Sequence, residues 1–158
     1  MQFALVEATR VLVAASDGVA TPTHNFHLTL AFLGAVPESR TREVGEIATR
    51  VASTFRAAPI AITLDHIDYW RKSEILCATS TAESVEAVAL AETLHHELGQ
   101  LSAAQFRPHV TLARKVRRRI PSTPMTSLAW TFKEFALVES QTLPTGSVYQ
   151  VLASFPLS

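Results

Sequence analysis

His27-Leu28-Thr29-Leu30 and His109-Val110-Thr111-Leu112 are two copies of one motif, each set in an otherwise apolar run. In a β-strand, successive side chains point to opposite faces of the sheet. A strand at each copy therefore places its histidine and threonine on one face and its apolar residues on the other. Because the two histidines are 82 residues apart in a chain of 158, the spacing predicts an approximate duplication in which each half contributes one motif strand.

Length and composition are those of a folded protein with one core. A chain of 158 residues favours one domain with at most two small lobes, and its hydrophobic fraction is 47%. The 14 basic and 14 acidic residues balance, so any polyanion must be held by a local cluster of positive charge. The sequence has neither an apolar run of membrane-spanning length nor the features of a signal peptide, so we expect a cytoplasmic protein that does not bind membranes.

Helical and strand periodicities alternate in a mixed order, which is typical of an α+β fold. Helices are predicted at residues 3–15, 38–55 and 83–98, with Gly99 as the C-terminal cap of the third. Strands are predicted at residues 26–33, 60–67, 74–79, 106–113, 132–140 and 147–155. Turns or loops are expected at residues 69–73 and 121–124 and at Pro144 and Gly146. Cys77, the only cysteine, lies in an apolar run and is expected to be a buried, unreactive thiol.

Two histidines and two threonines on one surface suit the hydrolysis of a cyclic phosphate. When water opens a 2′,3′-cyclic phosphate, one group takes a proton from the water and another, on the opposite side of phosphorus, protonates the departing ribose oxygen. Histidine suits both roles because its unperturbed pKa is about 6.5. The hydroxyls of Thr29 and Thr111 would donate hydrogen bonds to the oxygens that gain charge. A single copy would indicate only a polar core residue, whereas two matched copies favour catalysis.

Basic and aromatic side chains supply further candidates for substrate binding. Arg107 and Arg114 flank the second motif and are expected to face the same way as His109, and the guanidinium fork matches two phosphate oxygens. The basic run at residues 115–119 either contacts an RNA backbone or forms a solvated loop. Trp70 and Trp130, near predicted loops, are candidates for stacking on a terminal base.

The remaining histidines do not indicate a metal site. His24 and His66 are isolated, and the adjacent His95 and His96 point to different faces of a helix. None of them has the spacing of metal ligands, so we expect no bound metal. The sequence also lacks a glycine-rich phosphate loop, and we expect no cofactor.

The two motifs in their context resemble the signatures of the 2H phosphoesterase superfamily, in particular the bacterial RNA 2′,3′-cyclic phosphodiesterases, also called 2′-5′ RNA ligases. The resemblance is carried by residues 25–34 and 106–114 and by a tail that includes Phe135, Gly146, Tyr149 and residues 155–157. It implies that residues 1–158 form a single domain with a two-lobed, pseudo-symmetric α+β fold. In that fold, antiparallel sheets line a central cleft and the helices lie outside.

The resemblance also implies the reaction and the roles of the motif residues. RNA 2′,3′-cyclic phosphate ends would be hydrolysed to 2′-phosphate ends without a metal, reversibly as 2′-5′ ligation. His27 would be the proton donor and His109 the proton acceptor. Thr29, Thr111 and Arg114 would bind the phosphate, with Arg107 as a further candidate.

Two features depart from the family pattern. The family usually opens with a short strand and then its first helix. Here the spacing from His27 aligns residues 3–15 with that first helix, which leaves no residues for the strand. The alternative is a strand at residues 3–7 and a shortened helix. An absent strand would leave a sheet edge unpaired, which would lower the stability of the fold or favour pairing with a second chain. We expect a monomer, with a dimer as the alternative. Val148 stands where the family often has arginine.

Two other functions remain open from the sequence. The same motifs would serve a phosphoesterase that acts on small cyclic nucleotides or on 2′-5′-linked oligonucleotides. The basic run would also serve a non-catalytic RNA-binding module.

Overall fold

A computed structural model describes residues 2–56, 59–99, 106–143 and 146–158. Within these residues the helices are α1 (Gln2–Ala15), α2 (Glu38–Thr54) and α3 (Val85–Glu97), with a short 3₁₀ turn at Thr23–Asn25. The strands are β1 (Val19–Ala20), β2 (Ile60–Trp70), β3 (Ile75–Thr79), β4 (His109–Arg114), β5 (Thr123–Phe132), β6 (Glu134–Leu143) and β7 (Gly146–Pro156). No helix in the described ranges is long and apolar enough to span a membrane.

The chain divides into two compact units, each assembled from three segments. The first unit comprises Met1–Thr29, Ile62–Glu83 and Arg107–Trp130, and the second comprises Leu30–Ala61, Ser84–Phe106 and Thr131–Ser158. The histidine and threonine of both motifs fall in the first unit. The single two-lobed domain stays a prediction.

The first unit is built on a sheet with strand order β1-β4-β3-β2-β5. The pairs β1–β4, β4–β3 and β3–β2 are antiparallel. All five residues of β3 are buried, as expected for a strand covered on both faces. Helix α1 contacts β4 and buries Leu5 and Thr9, which lie one turn apart on the same stripe.

The second unit joins the β6–β7 hairpin to helices α2 and α3. Ala48 and Ala52 of α2 pack with Phe155 of β7, and three partly buried residues of the hairpin complete this cluster: Phe135, Leu137 and Ala153. Ser84 is the N-cap of helix α3, and its hydroxyl accepts a hydrogen bond from the Ala87 N–H. The C-cap of α3 is Leu98, and Gly99 follows it with a φ of +66°, the left-handed conformation in which a glycine commonly ends a helix.

The predicted strand at residues 26–33 is wrong, because only a bridge between Leu28 and Val110 forms there. The available edge of β4 is shared by two short segments. Val19 and Ala20 pair with its end, and the Thr21 N–H donates to the carbonyl of Leu112. Little of the edge remains for the first motif.

Two further corrections concern strands and turns. The predicted turn at residues 69–73 begins later, since β2 continues to Trp70. The predicted loop at residues 121–124 overlaps β5, which the pattern missed because Pro124 and several polar residues count against a strand. A proline is tolerated here because β5 lies at the edge of the sheet. Pro144, predicted in a turn, lies outside the described residues.

The two arrangements considered for the start of the chain are now distinguished. Helix α1 begins at Gln2, so the alternative with a strand at residues 3–7 is wrong. Cys77 is fully buried, and burial, with a smaller contribution from the charge of Asp68, raises its pKa to about 12. The expected burial of the thiol is therefore confirmed, and its lack of reactivity stays a prediction.

Candidate active site

The bridge between Leu28 and Val110 brings the two motifs side by side. Because the bridge is antiparallel, His27 lies opposite Thr111 and Thr29 lies opposite His109. Val110 is fully buried, and side chains one position away from a bridge pair point to the other face. The two histidines and two threonines are therefore directed to the same face of this pair.

Both motif histidines are held in the same way. His27 Nδ1 lies 2.7 Å from the carbonyl oxygen of Asn25, and His109 Nδ1 lies 2.8 Å from that of Arg107. A carbonyl oxygen only accepts hydrogen bonds, so Nδ1 carries the hydrogen in each ring. Nε2 is then the nitrogen that gains or loses a proton in both histidines.

The surroundings of His109 favour its neutral form. Burial is the largest cause that lowers its pKa, and the nearby positive charges of His27, Arg107 and Arg114 lower it further. The hydrogen bond to the Arg107 carbonyl acts in the opposite direction. The net effect is a pKa below the ordinary value for histidine, which favours the neutral imidazole at neutral pH.

Arg114 approaches His109 because strand β4 is irregular. Strict alternation would turn Arg114 away from the face of His109, since their positions differ by an odd number, so the common face expected for the two residues does not follow from alternation alone. In the ladder between β3 and β4, Cys77 pairs with Thr111 and Leu76 pairs with Ala113. The intervening residue of β4, Leu112, is therefore skipped. Such a bulge shifts the alternation by one position, and it returns Arg114 to the side of His109.

Trp70 is a neighbour of His109 that no motif indicated. Its ring centroid lies 4.4 Å from that of the imidazole, and the Arg107 guanidinium lies 5.3 Å from the indole ring. Both contacts require β2 to continue to Trp70, where the sequence suggested a turn. The sequence indicated Trp70 only as a candidate for base stacking, and it did not indicate Asp68. Asp68 accepts a hydrogen bond from Thr79, the residue paired with His109 in the sheet.

An open pocket of about 810 Å³ lies beside these residues in the first unit. Trp70 and Arg107 line it, as do eight other residues: Asp68, Tyr69, Arg71, Arg117, Arg119, Ile120, Pro121 and Ser122. Arg117 and Arg119 belong to the basic run of the sequence. The run therefore contributes to a pocket next to the motif residues.

Other sequence candidates lie elsewhere. Trp130 is on β5 and does not line this pocket, and Val148 is an exposed residue of β7. His66 is close to Asp65, and His95 Nε2 lies 3.2 Å from the Leu30 carbonyl. In the described parts of the chain, no three histidine, cysteine or acidic side chains are grouped as metal ligands.

Comparisons with known proteins identify the family. Residues 3–142 match the sequence profile of the 2′-5′ RNA ligase superfamily, and the chain belongs to this family. An RNA 2′,3′-cyclic phosphodiesterase of Thermus thermophilus is 32% identical, with 98% of this chain and 83% of the relative aligned. A second relative of the same name, from Escherichia coli, is 28% identical over 73% of this chain and 66% of its own.

Solved structures support the fold. The crystal structure of TT0787 of Thermus thermophilus superposes with a TM-score of 0.81 at 32% identity, covering 99% of this chain and 91% of its own. Escherichia coli LigT complexed with 3′-AMP superposes with a TM-score of 0.83 at 24% identity, covering 96% and 90%. The α+β fold class and the resemblance drawn from the two motifs are confirmed.

Proposed function

We propose that this chain hydrolyses RNA 2′,3′-cyclic phosphate ends to 2′-phosphate ends. The observation that carries the proposal is the Leu28–Val110 bridge, because it directs both copies of the motif to one face. The equivalent Nδ1 anchors support it further, since each histidine then exchanges protons through Nε2. The relatives named RNA 2′,3′-cyclic phosphodiesterase make RNA ends the favoured substrate.

In the proposed reaction, His109 is the proton acceptor and His27 the proton donor. Neutral His109 takes a proton from water at Nε2 while the water oxygen attacks phosphorus. The bond from phosphorus to the ribose 3′-oxygen breaks, and protonated His27 delivers a proton from Nε2 to that oxygen. The product carries a 2′-phosphate and a 3′-hydroxyl. The lowered pKa of His109 supports this order, because the acceptor must be neutral before the attack.

The remaining motif residues would stabilise the charge that develops on phosphate. The hydroxyls of Thr29 and Thr111 would donate to the non-bridging oxygens, and Arg114 would supply a positive charge on the same side. We assign Arg107 to substrate binding through the pocket it lines. Ligation would use the same groups with the 5′-hydroxyl of a second RNA in place of water: its oxygen attacks phosphorus and loses its proton to His109, while the 3′-oxygen leaves with a proton from His27 and a 2′-5′ linkage forms. Cleavage of that linkage back to the cyclic phosphate is the reverse step. We expect a cytoplasmic monomer that uses no cofactor.

The product of a single incubation tests this proposal. The purified chain is mixed with EDTA and a short RNA that ends in a 2′,3′-cyclic phosphate, and the product end is identified. A 2′-phosphate is expected. A 3′-phosphate would contradict the leaving oxygen that we assign to His27, and absence of turnover by a folded protein would contradict the reaction itself.

A further inference from the structure

The basic loop that follows β4 is fixed in place by buried contacts. Val116 is fully buried near its start, and its N–H donates to the carbonyl of Glu74 at 2.9 Å. The Val116 carbonyl accepts a hydrogen bond from the Tyr69 hydroxyl at 3.0 Å. The loop is therefore tied to β2 and to the turn that precedes β3, and its side chains leave from a defined backbone.

The carboxylate of Asp17, 100 positions before Arg117 in the sequence, holds the next part of this loop. Asp17 Oδ1 accepts the N–H groups of Arg117 and Arg118 at 3.0 and 3.1 Å. These bonds lower the pKa of Asp17, so it stays ionised at neutral pH. The adjoining Gly18 is needed for this approach, because a Cβ there would lie 2.5 Å from a methyl carbon of Val116.

The fixed loop adds positive charge to the pocket. Arg117 and Arg119 line it together with Arg71 and Arg107, while Asp68 is the single acidic residue among those that line it. In the described ranges, no carboxylate forms a salt bridge with these four guanidinium groups. Four cations around one open pocket repel one another, so the arrangement favours a ligand with several negative charges.

The pocket also adjoins the motif residues. Trp70 and Arg107 line it, and Trp70 is in ring contact with His109. A terminal nucleotide brings only its cyclic phosphate, which the proposed reaction places at the histidines. The arginines further along the pocket would then bind phosphates on the 5′ side of the reacting end, which only a longer RNA supplies.

We infer that this pocket binds the phosphodiester backbone of single-stranded RNA on the 5′ side of the cyclic end. The inference rests on the proposed function for the identity of the reacting end. It makes an oligonucleotide, rather than a small cyclic nucleotide, the preferred substrate. Each phosphate held by an arginine would release counterions, so binding would weaken as salt rises.

Paired substrates test the inference. The double variant Arg117→Gln/Arg119→Gln is compared with the unaltered chain on a hexanucleotide with a 2′,3′-cyclic end and on the matching cyclic mononucleotide. We expect about a tenfold rise in KM or more for the hexanucleotide, and no change for the mononucleotide. Loss of two phosphate contacts also makes the slope of log affinity against log salt shallower by about 1.4.

Arg118→Gln is the matched control, because Arg118 lies in the same loop but does not line the pocket. It is expected to leave both substrates unaffected. An equal loss on both substrates in the double variant would overturn the inference, as would an unchanged hexanucleotide KM or an equal effect of Arg118→Gln.

A binding measurement separates this inference from the proposed reaction. Fluorescence anisotropy with a labelled hexanucleotide that ends in a 3′-phosphate reports affinity without turnover. If the unaltered chain turns over neither cyclic substrate, the proposed reaction fails. Weaker binding by the double variant alone still supports the pocket, whereas equal binding by all three proteins overturns it.

Discussion

The indole ring of Trp70 packs against the imidazole of His109, with centroids 4.4 Å apart and ring planes inclined by 49°. Trp70 is the last residue of β2 and His109 the first of β4, two strands that both flank β3. The indole shields the imidazole from water, and burial is the largest cause that lowers the pKa of His109. The contact therefore helps to keep the proposed proton acceptor neutral.

Trp70→Ala is expected to move the acidic limb of the pH profile to higher pH. The variant exposes His109, so its pKa rises towards the ordinary value and a larger fraction is protonated just below neutrality. The profile of kcat/KM against pH, measured on the cyclic mononucleotide, reports this change. Trp70→Phe keeps a ring in place and is expected to shift the limb less. An unchanged acidic limb in a folded Trp70→Ala variant would show that the indole does not govern the pKa of His109.

His27→Ala and His109→Ala are each expected to lower kcat by roughly a hundredfold to ten-thousandfold, because each removes one proton transfer. His24→Ala is the control, since His24 is exposed in the 3₁₀ turn just before the first motif. Rates are compared on the same RNA with a 2′,3′-cyclic end, and circular dichroism confirms that the variants are folded. Normal turnover in either motif variant would show that the substituted histidine takes no part in the proposed proton transfers.

Local sequence patterns predicted the motif residues but not the contacts that complete the site. Alternation in β4 and the paired His-x-Thr spacing depend on neighbouring residues, and both led to the four side chains that the Leu28–Val110 bridge directs to one face. The hydrogen bond that the Arg117 N–H donates to Asp17 joins residues 100 positions apart, and no local periodicity indicates such a contact. The ring contact of Trp70 likewise depends on β2 continuing past the expected turn.

The missed elements have a similar cause. The first motif carries a strand-like pattern, yet whether it forms a ladder depends on how much of the β4 edge is free. That edge is largely occupied by residues 19–21, which a local pattern does not foresee. Strand β5 carries Pro124, whose cost depends on its place at the edge of the sheet. Contacts with residues distant in the sequence therefore decide whether these two segments form strands, because local propensity does not.

Thr29→Val and Thr111→Val are expected to lower kcat by roughly a hundredfold with a small effect on KM. Valine keeps the shape of threonine but removes the hydroxyl that would stabilise the charge developing on phosphate. Thr21→Val is the matched control, because the buried Thr21 hydroxyl has no hydrogen-bond partner among the described residues. The same change there should leave turnover unaltered. A similar loss in all three variants would indicate a packing effect instead of a lost donor.

Gly18→Ala and Gly45→Ala are expected to change stability in opposite directions. At Gly18 a Cβ would lie 2.5 Å from a Val116 methyl carbon and 2.8 Å from the Arg114 carbonyl oxygen, and a backbone atom moves away only at a cost. We expect the free energy of unfolding to fall by about 1–3 kcal/mol, the usual cost of overpacking.

At Gly45, inside α2, no neighbouring atom lies within 4 Å of the added Cβ. Alanine also restricts the unfolded chain more than glycine does, so this variant should gain about 0.5–1 kcal/mol. Urea unfolding of both variants gives the two values. Because Gly18 lies next to Asp17, its variant should also displace the basic loop and raise the hexanucleotide KM, whereas Gly45→Ala should not. A stable Gly18→Ala protein with an unchanged KM would mean that the loop accommodates the methyl group and that its arginines do not depend on this clamp.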